Sequence, residues 1–439
     1  MSSMQNHKLP EKFIDRIKTQ LPQEEWSAFF SVYEQSPYKG IRVNTLKCEK
    51  ETFKKISPFT LEEIEWEQNG FYVQEEKVGA HPYHFAGLFY SQEPSAMSVA
   101  PMLEVEQGER VLDLCSAPGG KGTQLASRMQ GEGIIVLNEP IFTRAKILSQ
   151  NVERMGIKNA VVTSELPQSL SKHFVEYFDK ILVDAPCSGE GMFRKNADEA
   201  LSEWSEENVA LCADRQKQIL QEALKMLKNG GRLAYSTCTF APEEDEKQLA
   251  WLVETYPELK LLKEEKIYPH LKKGEGHYAF VVEKTAGDGV DRTQTAKRNL
   301  TRQGETAYRD FEKSFFKEKF AYNLHEANGI LYELPRGMFE FKGINVLRAG
   351  VRLGELINGR FEPSHSLAMC VKKEECKNVL ELSLTDDRVE KFLRGESIEG
   401  ELQKGWCLVC VDGYPIGLGK SVNGIIKNHI PKALRKQSR

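Results

Sequence analysis

The organisation of this chain follows from one stretch, Val111-Leu112-Asp113-Leu114-Cys115-Ser116-Ala117-Pro118-Gly119-Gly120-Lys121-Gly122-Thr123. Its apolar opening predicts a short buried strand, which the proline and glycines then end. A helix is expected from Thr123 to Met129. A strand, a glycine turn and a helix N-terminus together present backbone N–H groups that bind a phosphate- or carboxylate-sized anion. The glycines let a ligand approach the backbone closely, because no Cβ stands in the way.

Two familiar nucleotide-binding motifs do not fit this loop. A P-loop requires glycine where Cys115 stands and serine or threonine where Gly122 stands. The dinucleotide fingerprint G-x-G-x-x-G is also missing from the stretch. Two interpretations therefore remain for the loop taken alone: an ordinary tight turn, or a Rossmann-like ligand loop of a different kind.

Two further segments follow predicted strands in the same way. Asp184-Ala185-Pro186-Cys187-Ser188-Gly189 comes after the apolar run 181–183, and Ser236-Thr237-Cys238-Thr239 comes after 232–235. Ligands of open α/β sheets bind beyond the carboxyl ends of the strands, and three such ends here carry unusual residues. Alternating strand and helix patterns between 111 and 283 therefore predict an open α/β sheet with a ligand site beyond the carboxyl ends of its strands.

These three motifs resemble the signature motifs of the Nop/Sun family of RNA cytosine-5 methyltransferases, and within it the bacterial RsmF type, which methylates 16S ribosomal RNA. The resemblance is dense from about Tyr90 to Glu283 and looser outside. It implies a Rossmann-like class I fold, S-adenosyl-L-methionine as cofactor, and RNA as substrate, either 16S ribosomal RNA or the small ribosomal subunit. A tRNA or DNA cytosine-5 methyltransferase and a non-catalytic RNA-binding assembly protein are the alternatives, whereas a nicotinamide oxidoreductase lacks its fingerprint.

The resemblance also implies roles for particular residues. Cys238 would attack carbon 6 of cytosine, Cys187 would assist release of the adduct, and Asp184 would hold the cytosine edge or the amino group of the cofactor. A basic residue near the substrate in this family corresponds to Lys195, for which a solvated helix end is the alternative. The implied cofactor loop comprises Cys115, Ser116, Ala117, Pro118, Gly119, Gly120 and Lys121.

Acidic residues after the next two strands extend the predicted cofactor site. Glu139 follows strand two, where a carboxylate typically accepts hydrogen bonds from ribose hydroxyls, although a surface glutamate is the alternative. The family usually has an aspartate after strand three that contacts adenine. Here the sequence is Ser164-Glu165-Leu166-Pro167, so either Ser164 or Glu165 would take that place.

A thiol suits both the first and the last step of the implied reaction, because it is a good nucleophile and a competent leaving group. Carbon 5 of cytosine is a poor nucleophile, but addition of a thiolate to carbon 6 converts the ring into an enamine. A base must then remove the proton at carbon 5, and the thiolate must leave. The target base must be extruded from a duplex or already unpaired.

The 439 residues are too many for one ordinary domain. We predict an N-terminal RNA-binding or accessory α+β domain at 1–92, a Rossmann-like catalytic domain at 93–285, a linker and intermediate domain at 286–372, and a PUA-like RNA-binding domain at 373–439. The net charge of −4 gives no global signal for nucleic acid, so RNA must bind a local patch. The last twenty residues contain no acid and six basic residues: Lys420, Lys427, Lys432, Arg435, Lys436 and Arg439.

The remaining features concern metal, membrane and compartment. A zinc set of Cys370, Cys376, Cys407 and Cys410 is disfavoured, because the last two would face opposite sides of a strand, and no metal is expected. Nine scattered cysteines, no apolar run of 18 residues and a polar N-terminus favour a cytoplasmic protein without a membrane span, which we expect to be a monomer. Arg42, in a strand predicted at 40–46, would either contact RNA phosphate or lie on a solvated face.

Overall fold

The computed structural model of the protein describes residues 9–286, 291 and 293–437. Arg439, which we included in the basic tail, lies outside the described residues, as do the first eight residues of the predicted N-terminal domain.

The N-terminal domain joins a pair of helices to a small antiparallel sheet. The two helices flank Pro22 and bury Phe13, Ile17 and Phe29. The sheet has the strand order β2-β3-β1-β4. The elements of this domain are α1 (Glu11–Gln20), α2 (Gln23–Ser31), β1 (Lys39–Val43), α3 (Lys50–Ile56), β2 (Glu62–Glu63), β3 (Gly70–Val73), α4 (Pro82–Phe85) and β4 (Phe89–Ser91).

The catalytic domain is built on an eight-stranded sheet of order β10-β11-β9-β8-β5-β6-β7-β14, whose five central strands, β9 to β7 in this order, run parallel. The predicted alternation of strands and helices is confirmed, with boundaries shifted by a few residues. The elements are α5 (Val99–Leu103), β5 (Arg110–Asp113), α6 (Gly120–Met129), β6 (Ile134–Asn138), α7 (Phe142–Met155), β7 (Ala160–Thr163), α8 (Pro167–His173), β8 (Phe178–Asp184), α9 (Ala197–Glu203), α10 (Glu206–Met226), β9 (Leu227–Thr237), α11 (Glu246–Thr255), β10 (Leu259–Ile267) and β11 (His277–Lys284).

Both faces of this sheet are covered, as a parallel sheet requires. Successive side chains of a strand point to opposite faces. In β5, Val111 therefore packs in the apolar cluster on the side of α6 and α7, whereas Leu112 packs in the cluster on the side of α10. All five residues of β6 are buried.

The segment after the catalytic domain contributes to the same sheet. Its elements are α12 (Arg302–Phe315), β12 (Leu324–Ala327), β13 (Ile330–Glu333), β14 (Val346–Ala349), β15 (Val351–Ile357), β16 (Arg360–Pro363) and α13 (His365–Met369). Strand β14 pairs antiparallel with β7 and extends the edge of the catalytic sheet. The linker that we predicted at the start of 286–372 leads into α12, where the Thr301 hydroxyl accepts a hydrogen bond from Gly304 N at 3.0 Å.

The C-terminal domain is a five-stranded sheet of order β17-β19-β20-β21-β18. Its elements are β17 (Val379–Leu382), α14 (Asp387–Leu393), β18 (Ile398–Glu399), β19 (Gly405–Val411), β20 (Tyr414–Val422) and β21 (Ile425–Asn428). Cys407 and Cys410 of β19 lie in different apolar clusters, which confirms that they face opposite sides. No group of three or more metal-binding side chains occurs within the described part of the chain.

The C-terminal sheet is sandwiched between two other parts of the protein. One of its faces shares an apolar cluster with the N-terminal domain, in which Val409 and Leu393 join Ile41 and Val43. The other face shares a cluster with the segment 308–371. Tyr83 Oη also donates to the Asp412 carboxylate at 2.7 Å. The four parts of the chain therefore pack against one another and do not form separate modules. Among the described residues no helix is long and apolar enough to cross a membrane.

We predict that the shared core stabilises the whole protein. Leu393 is 1% exposed and packs in the cluster common to the N- and C-terminal domains. Leu393→Ala should lower the free energy of unfolding by about 3 kcal/mol, because it removes buried methyl groups and leaves a cavity. Leu211→Ala, at a leucine that is 63% exposed, should change it by less than about 0.5 kcal/mol. Urea denaturation of both variants measures the difference, and equal effects would contradict a shared core.

Candidate active site

The two catalytic-candidate cysteines meet because of the strand register. Strands β8 and β9 are parallel, with Asp184 opposite Ser236. The chain leaves both strands at the same point on the sheet edge, so Cys187 and Cys238 come together a few residues later. Their Sγ atoms are 3.3 Å apart. The sequence placed both residues at strand ends, and the structure brings them into contact.

Hydrogen bonds join the two loops and hold this distance. Ser188 Oγ and Thr239 Oγ1 are 2.9 Å apart, and Gly191 N donates to Cys238 O at 2.9 Å. A Cβ on Gly191 would lie 2.9 Å from that carbonyl oxygen, so the close approach requires glycine at this position. The thiol pair is therefore held by the backbone of both loops.

The thiols differ in their electrostatic surroundings. The hydrogen bond to the Cys238 sulfur, followed by burial, raises the pKa of Cys187 well above its ordinary value. The Cys238 backbone N–H also points at Cys187 Sγ, at 3.4 Å, but does not offset this effect. Cys187 consequently keeps its proton near neutral pH, and its Sγ lies within hydrogen-bond distance of Cys238 Sγ.

Buried acids lie behind the cysteine loops. Glu244 accepts hydrogen bonds from Ser188 N at 3.0 Å and Gln216 Nε2 at 2.8 Å, and burial raises its pKa to about 7. Glu190 accepts from Trp204 Nε1 at 3.0 Å. Sequence reasoning missed these roles, because the acidic run 243–246 has the pattern of a helix N-terminus, whereas α11 begins only at Glu246.

A lysine and a serine fix the carboxylate of Asp184. Lys121 Nζ and Ser236 Oγ both donate to its Oδ1 at 2.8 Å. Burial by itself would raise the pKa of Asp184, but the charge of Lys121 and these hydrogen bonds outweigh it and lower the pKa. His277 lies in the same environment, and burial with the nearby Lys121 charge lowers its pKa to about 3. Its buried Nε2 has no hydrogen-bond partner, and His277 was not among the site residues that we expected.

The glycine loop has the geometry of a ligand cradle. Gly119 has φ +112°, and a Cβ there would lie 3.0 Å from Leu148 Cδ1. Beneath the loop, Asp113 is fully buried and neither of its carboxylate oxygens has a hydrogen-bond partner. The nearby Ser116 hydroxyl is likewise buried without one. Unsatisfied buried polar groups beside an open glycine turn fit a polar ligand that supplies the missing partners.

The carboxylates of both acids predicted for the cofactor site accept hydrogen bonds within the protein. Glu139 is 3% exposed and accepts from Ile141 N at 3.0 Å, with Arg144 3.3 Å away. Glu165 Oε1 accepts from Asn345 N at 2.8 Å, and Glu165 O accepts from Asn138 Nδ2 at 2.9 Å. The edge of the site after strand β7 is thus completed by residues from the segment that follows the catalytic domain.

Exposed apolar side chains flank these acids. Ile141 is 54% exposed and Leu166 is 62% exposed, and they follow Glu139 and Glu165 closely in sequence. Ser164 Oγ donates to Pro140 O at 3.3 Å and connects the two loops. Ligand sites typically combine such apolar side chains with a few polar groups.

Arg42 corrects our expectation from the sequence. We predicted either a contact with RNA phosphate or a solvated face, but its side chain is 1% exposed inside the protein. It lies against the glycine loop, where it donates to Gly120 O at 3.1 Å and Thr123 Oγ1 at 2.8 Å. Strand alternation separates Arg42 from Ile41 and Val43, but it could not show that the catalytic domain covers the face on which Arg42 lies. Lys195 is exposed and stays a prediction.

Known proteins match this chain along almost its whole length. The model for 16S rRNA methyltransferase RsmB/F matches residues 100–290. Models for the RsmF N-terminal domain, first C-terminal domain and PUA domain match residues 9–94, 310–371 and 378–436. The fold and the site thus define a Rossmann-like class I methyltransferase that uses S-adenosyl-L-methionine, with a PUA domain that binds RNA, as the sequence predicted.

The full-length relatives identify the family. Ribosomal RNA small subunit methyltransferase F of Vibrio vulnificus is 33% identical over 462 residues, which cover 97% of both chains. The protein of that name from Escherichia coli O157:H7 is 30% identical over 465 residues, which cover 97% of this chain and 96% of the other. The chain belongs to the ribosomal RNA small subunit methyltransferase F family.

Solved structures support the catalytic fold. A methyltransferase homologue from Pyrococcus horikoshii is 26% identical, with a TM-score of 0.55 over 63% of this chain and 100% of that chain. NSun6 from Pyrococcus horikoshii, solved with SFG, has a TM-score of 0.56 at 20% identity over 63% of this chain and 99% of that one, and shows the shared fold.

We predict a pH-dependent effect of Asp113. Burial raises its pKa to about 7, whereas an unfolded aspartate titrates near about 3.9. The folded protein therefore holds this proton more tightly, and the stability contributed by Asp113 is lost as the pH rises from about 4 through 7. Without ligand, Asp113→Asn should gain melting temperature over the wild type as the pH increases from 5 to 8. A difference that does not change with pH would contradict the prediction.

Proposed function

We propose that this protein transfers the methyl group of S-adenosyl-L-methionine to carbon 5 of a cytosine in 16S ribosomal RNA through a covalent cysteine–cytosine adduct. The observation that carries the proposal is the pair of thiols at 3.3 Å, beside the Lys121–Asp184 ion pair at the edge of a methyltransferase sheet. The names of the full-length relatives support ribosomal RNA of the small subunit as the substrate.

The cofactor would occupy the cradle above Asp113. Its carboxylate would face the backbone N–H groups of the loop 115–121, its ribose would bond to Glu139, and its adenine would lie beside Glu165. Asp184, held in its ionised form, would receive the amino group of the cofactor or of cytosine. The unsatisfied oxygens of Asp113 and Ser116 support this fit. When bound, the cofactor supplies the electrophilic methyl group that carbon 5 accepts.

The two cysteines would divide the work. The Cys238 thiolate attacks carbon 6, a Sγ–C6 bond forms, and the electron pair of the C5–C6 double bond becomes available at carbon 5. Carbon 5 would take the methyl group as the bond from that methyl to the cofactor sulfur breaks, Cys187 would lose its own proton to solvent, and the Cys187 thiolate would then accept the proton from carbon 5. That transfer returns the electron pair to the ring, and the Sγ–C6 bond breaks.

RNA would be bound by the C-terminal domain and by local basic residues. The PUA match and the basic tail support this, and Lys195 would contribute a phosphate contact near the cysteines. The nine free cysteines support a reducing compartment, so we propose that the protein works in the cytoplasm, and as a monomer.

Bisulfite sequencing tests the substrate. At least one cytosine of 16S ribosomal RNA should resist conversion in cells that have the gene and should convert in cells that lack it. The wild-type gene should restore the protection, and a gene carrying Cys238→Ala should not. Protection that disappears only from tRNA or DNA would refute the 16S assignment.

A trapping experiment separates the two cysteines. Cys187→Ala should still be attacked through Cys238 but should release the adduct poorly, because the group that accepts the proton is missing. A denaturing gel with labelled 16S fragments should show a slow-migrating protein–RNA band for Cys187→Ala. Cys238→Ala should give no band and no product.

Cys212→Ala is the matched control, since this buried cysteine lies in α10 and should leave both results as in the wild type. A band for Cys238→Ala alone would reverse the assignment of the two cysteines. Activity retained by both catalytic-cysteine variants would remove covalent catalysis from the proposal.

A further inference from the structure

Strand β1 faces two domains at once. Its side chains alternate, so Ile41 and Val43 point into the apolar core shared with the C-terminal domain. Arg42 points the other way, towards the catalytic domain, and its Nε donates to Oε1 of Gln92, the last residue of the N-terminal domain, at 3.1 Å. Asn44, just beyond the strand, donates from Nδ2 to Met155 O at 2.8 Å, at the end of α7.

Arg42 reaches the first turn of α6 at the glycine loop. One guanidinium nitrogen, Nη2, donates both to Gly120 O and to Thr123 Oγ1, at 3.1 and 2.8 Å. The ring of Tyr90 lies 5.9 Å from the guanidinium carbon. The buried Arg42 guanidinium is planar and donates hydrogen bonds to three acceptors. Moving any of these acceptors would leave buried charge without a partner, so their positions are restricted.

The position of this charge is unfavourable for the helix itself. The N-terminal end of a helix carries partial positive charge and favours anions. Here the Arg42 guanidinium lies against the first turn of α6, which contains no acidic residue, whereas Lys121 in that turn is already paired with Asp184 at 2.8 Å. An anionic ligand at the loop would relieve this unfavourable arrangement, so Arg42 favours the binding of a carboxylate there.

We propose that Arg42 is a positioning residue for the cofactor: from the N-terminal domain it holds the glycine loop in its ligand-binding conformation and adds positive potential there. The N-terminal domain is then part of the cofactor site and not only a surface for RNA. This inference rests on the proposed assignment of the loop 115–121 to the cofactor.

Calorimetry with S-adenosylhomocysteine measures the effect on the full-length protein. Arg42→Met should raise the Kd about tenfold or more, because a charged hydrogen-bond donor to the loop is lost. Arg42→Lys and Thr123→Val should raise it less, since each keeps part of the contact. The double variant Arg42→Met/Thr123→Val should be no weaker than Arg42→Met alone, because both changes remove the same interaction. The KM for RNA should stay unchanged.

Arg128→Met is the matched control. Arg128 lies on α6, as Thr123 does, and at the interface between the N-terminal and catalytic domains. There it pairs with Glu67 at 3.0 Å, but it does not touch the loop. It should lower the melting temperature without changing the Kd. The proposal would be overturned if Arg42→Lys and Thr123→Val both kept the wild-type Kd, or if Arg128→Met weakened S-adenosylhomocysteine binding as much as the changes at Arg42 do. The first of these outcomes decides the question even where Arg42→Met fails to fold.

Gly119→Val separates this inference from the proposed function. A Cβ at φ +112° would distort the cradle, so this variant should lose S-adenosylhomocysteine binding altogether. Normal binding by Gly119→Val would refute the loop assignment itself. Loss of binding in Gly119→Val together with normal binding in Arg42→Lys and Thr123→Val would refute only the role of Arg42.

Discussion

The parallel pairing of β8 with β9 is the constraint on which the site depends. Because Asp184 and Ser236 are opposite each other, the residues that follow them leave the sheet side by side. A shift of one residue would turn every side chain of one strand to the other face and would separate the two thiols. The ion pair of Asp184 with Lys121 then ties this pair of strands to the glycine loop after β5.

The N-terminal domain supports the site from two directions. Its helices pack against the cysteine loops, where Phe13 contacts Phe193 and Phe29 contacts Phe240, with ring centroids 4.9 and 5.6 Å apart. Its strand β1 contacts the glycine loop through Arg42. The C-terminal domain packs on the opposite face of β1. A part of the chain that looks like an appended RNA-binding module therefore also shapes the catalytic edge of the sheet.

The site retains buried polar groups that oppose stability. Asp113 has no partner for its carboxylate, His277 has a buried nitrogen without one, and burial raises the pKa of Glu244. Each of these groups costs free energy of folding unless it binds a ligand or serves the chemistry. Such groups cluster where function requires them, and here they surround the predicted cofactor cradle and the thiol pair.

The sequence by itself determined the catalytic fold, the three loops and the pair of cysteines. Strand and helix periodicity, glycine turns and motif order are local properties, so they can be read from neighbouring residues. Tertiary structure alone decided the burial of Arg42, the inward turn of Glu244, the contact between Asn345 and Glu165, and the addition of β14 to the catalytic sheet. These depend on which domain covers a given face. Alternation along a strand shows that a residue such as Arg42 faces away from one core, but only the packing of distant segments shows what lies on its other side.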